Sequence, residues 1–219
     1  MRRLVDDIAS ALADLPGPVH DVLDVYCGTR PYDDLLPPEA RCIGLDVEEN
    51  PYGDLADVVT DEFLPFEDES FDLLTFYEAF HYVEDPAHAV IEMLRVLRPG
   101  GSAIVTIPFA WEYDRAVERR YTELQLVELF AVWEDVRIVE NGGRLVVWST
   151  LTGTILERTR TRIPDAAGVG VAARALFALP LVVMNSVTPA LARLEERYAE
   201  GQVRFPMNLL LTARRPPNG

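Results

Sequence analysis

The chain has 219 residues, 49% of them hydrophobic, which is enough for one α/β domain with its own core. Its 36 acidic side chains against 20 basic ones give a formal net charge of -16, which argues against nonspecific nucleic-acid binding through a basic surface while leaving room for a local arginine patch. All 20 basic residues are arginine, a bias that genome composition or a high-salt habitat explains without a functional role.

In chain order, Leu4, Ile8, Leu12 and Leu15 repeat at helical spacing and predict an amphipathic helix closed by Pro16-Gly17-Pro18. Strands are expected at Asp21 to Val25, at Cys42 to Asp46 and, briefly, near Asp57 to Thr60. Phe71 to Tyr77 predicts an apolar fourth strand. Asp85 caps and Pro86 opens a helix whose Ala87, Val90, Ile91 and Leu94 are expected to face the sheet. Ala103 to Ile107 is the expected fifth strand. Thr122-Glu123-Leu124-Gln125 has the pattern of a capping box, opening a helix to about Val132. Val136 to Val139 and Phe205 to Ala213 supply strands six and seven. This alternation predicts a single α/β domain over residues 1–219, a doubly wound Rossmann-like seven-stranded sheet with its ligand at the carboxyl ends of the strands.

The chemistry-bearing stretch is Asp21 to Tyr32, DVLDVYCGTRPY. An apolar strand breaks into Tyr26-Cys27-Gly28-Thr29, and the next strand, Arg41-Cys42-Ile43-Gly44-Leu45, ends in Asp46. A strand, a tight glycine turn and an acid at the next strand's tip describe a nucleoside site. The turn lets backbone N–H groups approach a ligand, and the acid can take both ribose hydroxyls. A nicotinamide-dependent oxidoreductase would need a fuller G-x-G-x-x-G turn, which Tyr26 to Arg30 does not supply.

Two further stretches complete the pattern. Leu64-Pro65-Phe66 runs into Glu67-Asp68-Glu69-Ser70-Phe71-Asp72-Leu73, and Arg95-Val96-Leu97-Arg98-Pro99-Gly100-Gly101 precedes the fifth strand. As an ensemble over residues 20–140, these pieces resemble the class I S-adenosylmethionine-dependent methyltransferases of the type-11 group. Their first loop reads D-x-G-C-G-x-G, and LPF-x-D-x-SFDL and RVLRPGG are also characteristic of them. The resemblance implies S-adenosylmethionine as cofactor and an antiparallel last strand. Asp46 and its neighbour Val47 would hold ribose, and Asp61 would accept from the adenine amine with Glu62 and Phe63 beside it. Cys27 and Gly28, with Tyr26, would form the cofactor loop, and Tyr77 would be a further cofactor-binding residue. Asp24 either supports the loop beneath the cofactor or only satisfies loop amides. The chain departs from the family at Tyr26, in place of the first loop glycine, and at Arg30, in place of the third, where Pro31-Tyr32 matches a variant of the group. A residue with a Cβ resists positive φ, so the Tyr26 side chain would point away from the methionine tail or partly fill its pocket.

His81, in Glu78-Ala79-Phe80-His81-Tyr82-Val83-Glu84-Asp85-Pro86, is the candidate general base, against a plain surface histidine. Trp111-Glu112-Tyr113-Asp114-Arg115 followed by Arg119-Arg120-Tyr121-Thr122 resembles a related stretch above the cofactor site. It suggests Tyr113, Arg120 and Tyr121 as acceptor contacts, against helix-cap scaffolding.

Residues 142–202 are too long for a simple loop and read as a helical cap inserted between strands six and seven. Leu145, Trp148, Leu151 or Thr152, and Ile155 recur at helical spacing. Val169 to Met184 is apolar but holds Arg174 and Pro180 and falls short of a membrane span, and Pro189 to Glu200 suggests a further helix. The apolar faces either pack on the sheet or on a second subunit, or they line a hydrophobic acceptor pocket or touch a membrane surface. Met1-Arg2-Arg3 opens no signal peptide, so a reducing cytoplasm is the expected location. Cys27 and Cys42 fall at opposite ends of parallel neighbours, a poor geometry for a disulfide. His20, His81 and His88 are scattered, so no metal set is expected. The expected function is methyl transfer from S-adenosylmethionine to a small acceptor with a hydrophobic part. The rival is a non-catalytic member of the fold whose cofactor binding is weakened or lost.

Overall fold

The computed structural model describes residues 2–48, 50, 55–60, 62–110, 119–162, 180, 182, 183, 186–191, 193 and 205–217. The seven strands are β1 (Asp21–Val25), β2 (Arg41–Asp46), β3 (Val58–Val59), β4 (Phe71–Tyr77), β5 (Leu97–Pro108), β6 (Glu134–Asn141) and β7 (Asn208–Arg214). They form one sheet in the order β3-β2-β1-β4-β5-β7-β6. Every neighbour pairs in parallel except β7, which runs antiparallel to both β5 and β6. The order reverses between β1 and β4, and such a reversal opens a crevice at the carboxyl ends of the two strands. That crevice is where the expected cofactor residues converge.

β1 and β4 are nearly continuous apolar runs because both faces of a central parallel strand are covered. Phe76, Phe80 and Phe130 are fully buried and meet at ring separations of 5.4 Å and 6.1 Å. Each such ring contributes about 1.5–3 kcal/mol by leaving water. On the other side of the sheet, α1 (Arg2–Ala13) buries Leu4 and Ile8 against Leu210.

α2 (Pro86–Val96) starts where its cap predicts, with the Asp85 carboxylate accepting from the His88 N–H at 3.1 Å. Its buried face differs from the expected one. Ala89, Val90, Met93 and Val96 pack inward, while Ala87 is exposed and Ile91 is 60% exposed. α3 (Glu123–Leu129) carries both halves of the Thr122–Gln125 capping box and stops before Val132. β5 begins at Leu97, six residues earlier than expected. Leu97 already pairs with Phe71, and an irregularity at Gly100 (φ 80) and Gly101 bends the strand before it resumes at Ser102.

The contacts fall into two units, Met1–Asn141 with Asn208–Gly219, and Gly142–Met207. The second unit lies between β6 and β7 in the chain and opens with α4 (Arg144–Arg162), a helix as its spacing predicts. Its buried positions include Val147 and Ser149, whereas Trp148 and Ile155 are each 59% exposed, so the expected stripe is not the buried one. Ser149 and Thr188 share a hydroxyl hydrogen bond of 2.9 Å, and residues 186–191 are helical. Most of the Val169 to Met184 and Pro189 to Glu200 stretches lies outside the described residues.

Candidate functional site

Beyond Val25 the chain folds into a turn with three left-handed residues, Tyr26 (φ 54), Gly28 (φ 52) and Arg30 (φ 51). The two positions that depart from glycine thus keep glycine's conformation. Each non-glycine residue there costs about 1–2 kcal/mol, and each has a visible offset. The Tyr26 ring packs edge-on against Phe76 at 5.7 Å, and Phe76 in turn stacks on Phe63. The ring therefore lies against the core. Arg30 pairs with Asp33 at 2.8 Å and with Asp57 at 2.9 Å, and Asp57 also accepts the Gly44 N–H. The turn is closed by Cys27 N–H to Leu45 O and by Arg30 N–H to Cys27 O.

Cys27 is buried beneath the turn, with its Sγ 2.8 Å from where a Cβ on Gly44 would stand, so only glycine fits at 44. Burial pushes both the Cys27 and Cys42 thiols up to about 12, with Asp24 adding to the shift. Neither is a nucleophile at neutral pH.

Asp24 is buried on β1 and takes a hydrogen bond of 2.7 Å from the Thr75 hydroxyl on β4. Burial pushes its carboxyl up to about 7, partly offset by Thr75 and Arg30. Asp46 ends β2, and its carboxylate accepts from Gly28 N–H (2.8 Å), Val47 N–H (2.9 Å) and the Asn50 amide (2.6 Å). Glu62 is exposed and donates its N–H to Thr60 Oγ1. Asp61 and Tyr113 lie outside the described residues.

Tyr77 ends β4 with its ring 4.7 Å from Tyr32 and its hydroxyl buried without a hydrogen-bond partner among the described residues. His81 is buried, at 4% exposure, in a 3-10 turn (Phe80–Tyr82), its ring 3.9 Å from Tyr82. The Arg119 N–H bonds its carbonyl. Tyr121 is buried against Phe80, while Arg120 donates to the Arg119 carbonyl. Asp24, Tyr26, Cys27, Gly28, Asp46, Val47 and Tyr77 therefore gather at the carboxyl ends of β1, β2 and β4, and Tyr121 lies in the core. Two residues at these tips were not anticipated. Asn50 occupies the Asp46 carboxylate, and Glu78 follows β4 as Asp46 closes β2. An acid at a strand tip was the available signal for Glu78.

A family model described as a methyltransferase domain matches residues 23–105. The chain is 32% identical over 149 residues to the malonyl-(acyl-carrier protein) O-methyltransferase of Methylococcus capsulatus, covering 62% of this chain and 50% of that one. It is 30% identical over 172 residues to the demethylmenaquinone methyltransferase of Mycobacterium sp., covering 64% of this chain and 74% of the relative. The chain belongs to the S-adenosylmethionine-dependent methyltransferases. It spans about half the length of several curated methyltransferases that it matches. A solved structure assigned as a sarcosine dimethylglycine methyltransferase from Galdieria sulphuraria shares the fold, with a TM-score of 0.60 at 17% identity over 99% of this chain and 86% of that one.

Within this chain the remaining family motifs are scaffold. Arg95 of RVLRPGG donates to the carbonyls of Leu64 (3.0 Å) and Phe66 (2.7 Å), pinning the LPF turn. Arg98 bonds Asp72 of SFDL at 2.7 Å and Asp21 at 2.9 Å, tying the amino ends of β5, β4 and β1. Among the described residues no acid, histidine and cysteine cluster could hold a metal, and no helix is long and apolar enough to cross a membrane.

Proposed function

We propose that this chain transfers the methyl group of S-adenosylmethionine to a small acceptor with a hydrophobic part. The observation that carries the reading is the arrangement at the switch point. The Gly28 turn, with open space where a side chain would stand, and the Asp46 carboxylate face the crevice from adjacent strands. Asp46 would take the ribose diol, and Val47 and Phe63 would border the nucleoside. Tyr26, its ring held against Phe76, leaves the methionine side of the loop clear.

When bound, the cofactor supplies a methyl group already activated by a positively charged sulfur. This chain's residues position and desolvate it. His81, buried beside the β4 tip, would take a proton from an acceptor that must lose one. Arg120 and Tyr113 would contact the acceptor. The relatives named as a malonyl-(acyl-carrier protein) O-methyltransferase and a demethylmenaquinone methyltransferase support methyl transfer as the reaction.

One observation favours a second reading, a member of the fold with weakened cofactor binding. The Asn50 amide holds the Asp46 oxygen at 2.6 Å, where a ribose hydroxyl would bind, and must yield to it. Thermal shift with S-adenosylmethionine, S-adenosylhomocysteine and nicotinamide dinucleotides separates the readings, because a ligand of the native state raises the melting point. The methyltransferase reading expects a rise with the first two alone. No rise with any of them favours the second reading, and a rise with the dinucleotides would sink both.

A further inference from the structure

Glu78 is not explained by the cofactor contacts assigned above. It is the first residue beyond β4 and has φ 55, left-handed for a residue with a Cβ. Its N–H is held by both acceptors of Thr106, the carbonyl at 3.1 Å and Oγ1 at 2.8 Å. One carboxylate oxygen, Oε2, accepts from the Asn208 amide at 2.5 Å. The other, Oε1, is buried and has no hydrogen-bond partner among the described residues.

A buried carboxylate oxygen without a partner is expensive, and such groups are retained where a ligand completes them. Burial pushes the Glu78 carboxyl up, with Thr106, Asn208 and the charge of Arg120 only partly pulling it back. What Oε1 lacks among the described residues is a direct partner, and a cation is the complement that a carboxylate oxygen takes most strongly. Tyr77, the residue before Glu78, has its ring 4.7 Å from that of Tyr32, and aromatic faces of this kind suit a cation.

The sheet order places this group relative to Asp46. β2 and β4 flank β1, so their tips stand two strand spacings apart, about 10 Å. A nucleoside with its ribose on Asp46 would have the β1 and β4 tips within reach of its 5′ substituent, and the Asn208 bond holds the Glu78 carboxylate on the β5 and β7 side of the β4 tip. In S-adenosylmethionine that substituent carries the sulfonium.

We propose that Glu78 is the counter-charge of the cofactor's sulfonium, so that the site selects the charged methyl donor over its uncharged product. This inference rests on the cofactor reading above. Methyl transfer removes the positive charge from sulfur, and Glu78 then loses its partner. The same contact that loads the donor therefore favours release of S-adenosylhomocysteine.

Titration calorimetry on the full chain in about 0.15 M salt, which screens the acidic surface, tests this with three probes. They are S-adenosylmethionine, S-adenosylhomocysteine and sinefungin, which carries an amine where the sulfonium stands. The parent should bind the two cations about tenfold more tightly than S-adenosylhomocysteine, a difference of about 1.4 kcal/mol. E78Q should bring all three within about twofold by weakening the cations alone. D68N, a change at an exposed surface pair, should keep the parent's preference. A folded E78Q that retains the preference overturns the proposal. A parent that binds all three equally overturns it too, whether or not E78Q folds, and leaves the cofactor reading standing. A parent that binds none overturns both.

Discussion

The two ends of the parallel strands in this sheet are built on opposite terms. At the amino ends of β1, β4 and β5 the charges Asp21, Asp72 and Arg98 are paired. Arg98 joins Asp21 and Asp72, and Asp72 also accepts the N–H groups of His20 and Asp21. Burial alone would raise the Asp72 carboxyl, but Arg98 and those two N–H groups outweigh it and hold the pKa below the usual range. At the carboxyl ends Tyr26, Arg30 and Glu78 occupy left-handed backbone, Asp24 is pushed up to about 7, and the Tyr77 hydroxyl and Glu78 Oε1 have no partners among the described residues. The satisfied end is scaffold, and the strained, incomplete end is where a ligand would finish the structure. Strain alone does not draw this line, since Glu69, in a turn before β4, and Asp135, at the register shift that opens β6, are also left-handed.

The largest effect should come from Asp46→Ala, which removes a carboxylate expected to take two ribose hydroxyls. Each charge-assisted bond is worth about 1.5–3 kcal/mol, so calorimetry should show S-adenosylhomocysteine affinity falling by far more than tenfold. Unchanged affinity would take Asp46 out of the site.

Asp24→Asn sharpens the contrast through pH. The folded-state pKa of about 7 lies above the ordinary carboxyl value of 3.8, so between these values the folded chain holds the proton more firmly than the unfolded one. Ionising Asp24 therefore lowers stability as pH rises from about 4 toward 7, by at most about 1.4 kcal/mol per pH unit. Denaturant titrations should show the parent losing stability relative to Asp24→Asn across that window, with the gap level above it. Parallel profiles would mean that Asp24 is ionised throughout.

Tyr26→Gly relieves backbone strain but removes a ring that rests on Phe76. Loss of a partly buried aromatic outweighs the strain, and the net destabilisation should be about 2 kcal/mol. S-adenosylhomocysteine affinity should not improve. Tighter binding would show that the ring had been crowding the methionine tail. The smallest effect belongs to the other end. Arg98→Met should lower stability by about 1 kcal/mol, because the arginine is 40% exposed, and should leave cofactor affinity alone. A variant that loses affinity at full stability would break the division between the two ends.

Much of this fold was legible because its signals are local. Asp85-Pro86 and Thr122 with Gln125 start helices by satisfying specific N–H groups, and alternating apolar runs mark the strands. What escaped depends on neighbours far along the chain. α2 has apolar residues at Ala87, Ala89, Val90, Ile91, Met93, Leu94 and Val96, so a helical period fits two faces, and the cap fixes its start but not its rotation. Pro99-Gly100-Gly101 reads as a turn, yet Leu97 still pairs with Phe71 before the chain bends. In the site, Asp46 stood out because a glycine turn preceded it in the sequence. Glu78 is likewise an acid at a strand tip, that of β4, but the missing partner of its Oε1 shows only when Thr106 and Asn208 are brought beside it.

The fit of Cys27 under the turn makes its thiol a clock for motion in the loop. With Sγ packed against Gly44 and its pKa pushed up to about 12, the thiol is both covered and almost wholly protonated while the turn is closed. Alkylating reagents reach it only during excursions that lift Tyr26 and Gly28 off β2. Its labelling rate thus counts openings of the candidate cofactor loop, and a ligand seated on Gly28 and Asp46 would slow that count in proportion to its occupancy.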